Sequence, residues 1–472
     1  MSASSAQLDN TNAAGELGWL GVVRIGLVQM SLGAIVILTT STLNRVMVVE
    51  LAMPAAIPGA LVGWHYAVQM SRPRWGYGAD IGGARAPWII GGIATLAAGA
   101  VLAAVAAALA ESNVAAGLTL AVAAFTIIGV GVGAAGTNAL ALLAARTPPA
   151  RKAAAAAIVW IMMIFGFVLT AGVAGVFLDP FSMTRLVAVC AVVGALATML
   201  SILATWRLET RMASNAGPET SAASASSTMS GNKAAKIAGA SDFKSALVDV
   251  WRDDKARRFT IFVFVSMLAY SAQDLILEPF AGIVHGFSPG ESTRLAGAQN
   301  GGVLIGMVAT AIVGTIVGKS RGRFMRLWTV GGCLASAAAL ALLAIGAAFG
   351  GGAPLTINVV ALGMANGAFA VAAIGSMMAL ASVGQQSREG VRMGVWGAAQ
   401  AIAFGLGGFV GAAAVDVVRA VMGSPEPAFA TVFALEAATF AVAAILAVRV
   451  GGGVADHVKL PAMPSVEGLA AE

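Results

Sequence analysis

Gly91-Gly92-Ile93-Ala94-Thr95-Leu96-Ala97-Ala98-Gly99-Ala100-Val101-Leu102-Ala103-Ala104-Val105-Ala106-Ala107-Ala108-Leu109 is apolar on every face. Wound as a helix it has no polar stripe, and read as a strand it has no polar and apolar alternation. Such a segment suits a medium with no water on any side. Its length fits as well, because a helix needs about 20 residues to cross about 30 Å of hydrocarbon.

The rest of the chain repeats the pattern. Of 472 residues, 58% are hydrophobic and 11% charged, against roughly 25% charged in a soluble globular protein. Apolar blocks predict twelve spans, near residues 24–43, 54–72, 86–109, 114–145, 152–178, 185–207, 259–283, 296–317, 324–349, 355–383, 391–418 and 427–449. The fold class expected is therefore an all-α membrane protein.

Basic residues accumulate in loops that stay in the cytoplasm. With the N-terminus inside, all of the 28 Lys and Arg except Arg45, Arg185, Arg294 and Arg419 fall on the cytoplasmic side. Both termini are thus expected in the cytoplasm. The same spread over short loops explains the net charge of +6 without nucleic acid. No basic segment precedes a short apolar run with a cleavage site at the N-terminus, so a signal peptide is not expected. Cys190 and Cys333 lie in different predicted spans, without disulfide or metal spacing.

Composition divides the chain. An N-terminal tail, residues 1–21, leads into a six-helix half, 22–208; a cytoplasmic linker, 209–257, precedes a second six-helix half, 258–450, and a tail, 451–472. The linker is rich in Ser, Ala, Gly, Asn and Lys and buries too little apolar area to fold alone. Near its end, Phe243, Leu247, Val250 and Trp251 are spaced for a short amphipathic helix on the membrane surface, or for a simple lead into span seven. Two six-helix halves point to a transporter-type architecture with a central cavity.

The loop after span two reads Gly76-Tyr77-Gly78-Ala79-Asp80-Ile81-Gly82-Gly83-Ala84-Arg85, and the corresponding loop after span eight, Gly314 to Arg323, repeats its glycines and basic residues. The first resembles the signature loop of the major facilitator superfamily, with Gly76, Asp80, Gly83 and Arg85 at its glycine, acid, glycine and basic positions. The family's basic residues are replaced at Ile81 and Ala84. Longer strings are similar to the PucC family: Thr40 to Leu51, Ala269 to Phe280, Pro289 to Ser292, Gly301 to Leu304 and Trp396 to Gly408. The stretch Trp64 to Gln69 with Arg72 and Arg74 looks like the branch encoded among pigment-synthesis genes. The resemblance implies a major facilitator-like fold and, as cargo, bacteriochlorophyll or a late precursor. It implies bacteriochlorophyll-synthesis enzymes and light-harvesting apoproteins as partners besides the lipid bilayer, and a role in pigment delivery during photosynthetic complex assembly.

The residues themselves leave choices open. Asp274 and Glu278 are four apart on one helical face and costly at membrane depth, so they should face protein or water. Tyr270 and Gln273 are candidate hydrogen-bond donors to them, and Pro279 should free a carbonyl beside them. Together these groups suit a cation, a proton or the magnesium of a chlorin; alternatively Glu278 caps a helix or pairs with Arg294. At the end of span one, Asn44, Arg45 and Glu50 form an external gate or a structural boundary pair. His65, flanked by Trp64 and Tyr66, is either a magnesium ligand or a helix-to-helix hydrogen-bonding group. Gln69 and Gln400 complete the expected cavity. The glycine runs Gly129 to Gly133 and Gly405 to Gly411 suit close helix packing, or a crevice for a tetrapyrrole. No nucleophile and base pair, zinc cluster or phosphate loop is present in the sequence, so neither an enzyme nor a catalytic cofactor is expected. The alternative to pigment handling is a proton-coupled secondary transporter of a small solute.

Overall fold

The computed structural model describes residues 17–72, 84–148, 151–208, 251–252, 254–316, 321–349, 354–381 and 389–451. The linker over 209–250, with Phe243, Leu247 and Val250, lies outside these residues, as do 1–16 of the N-terminal tail and 452–472 of the C-terminal one. Among the described residues the architecture is all-helical. The first six helices are α1 (Trp19–Glu50), α2 (Ala56–Gln69), α3 (Ala86–Ala110), α4 (Val114–Arg146), α5 (Lys152–Phe177) and α6 (Met183–Thr205). The second six are α7 (Asp254–His285), α8 (Pro289–Ile316), α9 (Arg321–Ala348), α10 (Leu355–Ala381), α11 (Glu389–Met422) and α12 (Pro425–Gly451).

Among the described residues eleven helices are long and apolar enough to cross a membrane, and the chain is a multi-pass membrane protein. The exception is α2, whose 14 residues rise only about 21 Å. It starts after Pro54 and gives way to a turn at Met70, inside both expected limits of span two.

Helix α1 departs in the other direction. Span one is expected to end near residue 43, yet the helix runs on to Glu50 through π-helical turns at Leu38–Thr42 and Val46–Glu50. The reason is burial: Thr39, Ser41, Thr42, Asn44 and Arg45 are enclosed by protein, so their polarity marks an interface rather than an end. At the starts of α4 and α8, side chains satisfy free N–H groups. Asn113 accepts from Ala116 N at 3.0 Å to open α4. Ser288 and Glu291 form a reciprocal capping box at α8, with Glu291 N to Ser288 Oγ at 3.1 Å and Ser288 N to Glu291 Oε2 at 2.8 Å.

One hydrophobic core is built wholly from residues between Phe259 and Ala447, including Phe262, Phe280, Phe369, Phe433 and Phe440. Two others draw on residues between Leu17 and Leu208, joined only by Leu275 from the later part of the chain. Small residues set the spacing within each. Between α8 and α10, a Cβ on Gly306 would overlap Met364 O, and one on Gly363 would overlap Gln299 O. The glycine runs flagged in the sequence are packing surfaces too: Gly131 meets Gly92 and Leu96 of α3, and Gly407 meets Leu268 of α7.

Candidate functional site

The most polar ground in the bundle is the seam where α1 meets α7, near the Glu50 end of α1. Pro279 sits inside α7. A proline lacks the N–H that would bond to the carbonyl four residues earlier, which here is Leu275 O. Asn44 of α1 supplies the missing donor, with Nδ2 at 2.7 Å from Leu275 O. The carbonyl expected to serve a ligand is therefore taken by the protein.

Its neighbours extend the seam. Ser41 Oγ donates to Glu278 Oε1, and Glu278 is 2% exposed. Arg45, equally buried, pairs with Glu50 through Nη1 and donates from Nη2 to Phe287 O at 2.6 Å. Glu50 itself lies at the exposed rim. Thr42 and Thr293 hydroxyls meet at 3.1 Å. Arg294, named in the sequence as a partner for Glu278, pairs instead with Asp179 at 3.2 Å, because it projects from the first turns of α8 onto the end of α5 and also reaches Gly175 O at 3.0 Å. Ser288 Oγ donates to Asp179 Oδ1 at 2.7 Å. Across the bundle, Asp416 of α11 accepts from Ala55 N at 2.9 Å and Ala56 N at 2.7 Å, capping the start of α2. The early and late helices are thus bridged by polar contacts at one end through four helix pairs: α1 with α7, α1 with α8, α5 with α8 and α2 with α11.

One turn deeper, α7 presents a different picture. Asp274 is partly accessible, and its electrostatic neighbours are Tyr66 of α2, Tyr270 and Glu436 of α12. Those of Glu278 are Ser41, Arg45 and Ser292, so the two carboxylates serve different surroundings despite their spacing. Phe404 of α11 joins the aromatic wall, with its ring 5.8 Å from both Tyr66 and Tyr270. Glu436 is 5% exposed, and neither of its carboxylate oxygens has a hydrogen-bond partner. Gln273 is fully buried, and both atoms of its amide are likewise unpartnered. It lies on the α7 stripe shared with Phe280, whose ring meets Phe429 and Phe433 of α12 at 5.3 and 5.1 Å. The sequence assigned Gln273 as a donor to the carboxylates; the structure turns it to this stripe instead. Gln400 makes only a weak contact, Nε2 to Met267 Sδ at 3.9 Å.

Glu436 was not singled out from the sequence, although Phe433-Ala434-Leu435-Glu436-Ala437-Ala438 places one carboxylate inside an apolar span. That signal was available. Asp416 and Asp179 carried no such signal, since only the fold shows which backbone or side chain they meet.

His65 is buried in α2. Its Nδ1 lies 3.0 Å from Val62 O and its Nε2 lies 2.7 Å from Gln69 Nε2, so Nδ1–H donates and Nε2 accepts. Gln69 Oε1 accepts in turn from Arg72. In this arrangement neither ring nitrogen has a lone pair open to magnesium. Its hydrogen bonds run along α2 itself rather than to a neighbouring helix. Gly76, Asp80 and Gly83 of the signature loop lie outside the described residues, and Arg85 directly precedes α3. Cys190 and Cys333 are buried free thiols. Among the described residues no three His, Cys, Asp or Glu side chains cluster to hold a metal ion.

Comparison with known proteins places this geometry in context. The structure superposes on a peptide transporter POT solved in complex with sulfate, with a TM-score of 0.64, 17% identity and coverage of 94% of this chain and 98% of that one. The fold is therefore major facilitator-like. A Rhodobacter capsulatus protein named bacteriochlorophyll synthase 44.5 kDa chain is 49% identical over 437 residues, 92% of this chain and 96% of that protein. Protein PucC of Rhodovulum sulfidophilum is 25% identical over 414 residues, 84% of this chain and 85% of that protein. The family described as PUCC protein matches residues 42–454, nearly all of both helical halves, and the chain belongs to it.

Proposed function

We propose that this protein is a membrane factor that binds bacteriochlorophyll or a late precursor and delivers it during assembly of photosynthetic complexes. The observation that carries this reading is 49% identity, over nearly the full length of both chains, to a protein whose name ties it to bacteriochlorophyll synthesis. Catalysis is assigned to partner enzymes, with this chain handling the pigment rather than making it. Light-harvesting apoproteins would receive it. The linker faces the cytoplasm in this reading, with both termini, so a Lys233→Cys label reached from the periplasm would overturn the orientation.

The decisive experiment is gentle detergent purification from a pigment-producing host, followed by absorbance spectra. The expected result is stoichiometric tetrapyrrole, copurifying with pigment-synthesis enzymes. Absence of both overturns the proposal.

A second reading, proton-coupled transport of a small solute, draws support from the unpartnered Glu436 carboxylate beside Asp274. It requires proton-dependent uptake into vesicles that disappears in Asp274→Asn or Glu436→Gln. Uptake unchanged in both variants removes it.

A further inference from the structure

A cavity of about 500 Å³ lies among α1, α4 and α5, with Arg72 at its edge just beyond α2. Its size falls within the ~300–1,000 Å³ of small-molecule sites. Leu32, Val132, Val159, Trp160 and Met163 form apolar walls. Leu32 is about 20 Å along α1 from Trp19, so the cavity reaches well into the helical bundle.

Arg72 is exposed and stands at the edge of the cavity, where its charge faces whatever enters. The ion pairs among the described residues are Arg45 with Glu50, Arg257 and Arg258 with Asp254, and Arg294 with Asp179; none involves Arg72. Its partner is the neutral amide of Gln69, itself held by His65, which is held by Val62 O. This chain along α2 tethers the guanidinium through one of its N–H donors and leaves the others open to solvent or a ligand. Across the cavity, Thr137 Oγ1 is buried with no hydrogen-bond partner. A tethered cation at the edge, a buried unpartnered hydroxyl and apolar walls make a site for an acid with an apolar body, and a carboxylate matches the guanidinium fork in shape.

We propose that this pocket binds the carboxylate of a flat apolar acid, with Arg72 as its counter-ion and Thr137 as a second donor. Its occupant is the unesterified pigment precursor, whose propionate is still a free acid, rather than the finished pigment ester. The identity of the occupant rests on the pigment reading above; the acid-binding chemistry does not.

The test uses the purified full chain and three probes: bacteriochlorophyllide, which is a free acid; bacteriochlorophyll, its ester; and pyrenebutyrate, an apolar acid that is not a pigment. Binding is read by absorbance or fluorescence titration, with monodispersity of each variant checked by size exclusion. Arg72→Gln should weaken bacteriochlorophyllide and pyrenebutyrate by about tenfold or more, and Thr137→Val by roughly fivefold, while binding of the ester changes little. If pyrenebutyrate shows the Arg72 dependence and neither tetrapyrrole binds, the acid pocket stands and the pigment reading falls. If bacteriochlorophyllide binds equally to wild type and Arg72→Gln, the pigment reading stands and the acid pocket falls. Equal weakening of acid and ester in Arg72→Gln also overturns the pocket, since it marks Arg72 as structural. Binding of none of the three overturns both.

Discussion

Two stretches of α7, one turn apart, treat their polar groups in opposite ways. Around Leu275 and Glu278 the protein supplies partners from α1, Asn44 for the carbonyl and Ser41 for one carboxylate oxygen, leaving only single atoms of these side chains (Glu278 Oε2, Asn44 Oδ1) unpartnered. Around Gln273 and Asp274 it does not, and Gln273 and Glu436 stay buried without partners. A satisfied polar group in a membrane interior holds helices together; an unsatisfied one costs free energy and persists where something else meets it. The first stretch therefore reads as a joint and the second as a site.

Breaking the joint should cost stability. The largest effect is expected for Arg45→Met, which leaves Phe287 O and Glu278 without the buried cation and should destabilise by about 3 kcal/mol. Thermal unfolding in mild detergent measures it; an unchanged transition would mean that the seam is decorative. Asn44→Val comes next, at roughly 1–3 kcal/mol, since Leu275 O then has no donor. Pro279→Ala sharpens the assignment by returning to Leu275 O its own helical N–H partner. In that background Asn44→Val should lose less than half as much, and a double-mutant cycle with no coupling would refute the link.

The site should respond in the reverse sense. Glu436→Leu removes two unpartnered oxygens, so stability should hold or rise by about 1 kcal/mol, while pigment or solute binding falls. Loss of folding with Glu436→Leu would erase the contrast between the two stretches. The smallest effect serves as a scale: Glu291→Ala, at the α8 capping box, should cost about 1 kcal/mol in the same unfolding measurement.

Much of this was written in the sequence, and the reason it was legible is the solvent. A bilayer demands long apolar helices, so stretches such as Gly91 to Leu109 declare themselves, and Asn44, Asp274 and Glu278 stand out against them. What escaped was what depends on partners. The continuation of α1 past Leu43 was hidden because π-helical turns leave no mark in residue periodicity. The proline-freed carbonyl was foreseen, but not the Asn44 amide that takes it, since no spacing rule links residues 231 positions apart. Arg294 was matched to the wrong carboxylate for the same reason. Glu436 was legible and was passed over among its apolar neighbours.

The proline in α7 has one more consequence. Because Leu275 O depends on α1 for its donor, the two helices cannot part at this end while the gap stays dry. Separation must bring in water to take the place of Asn44, which turns any opening of the seam into a wetting transition.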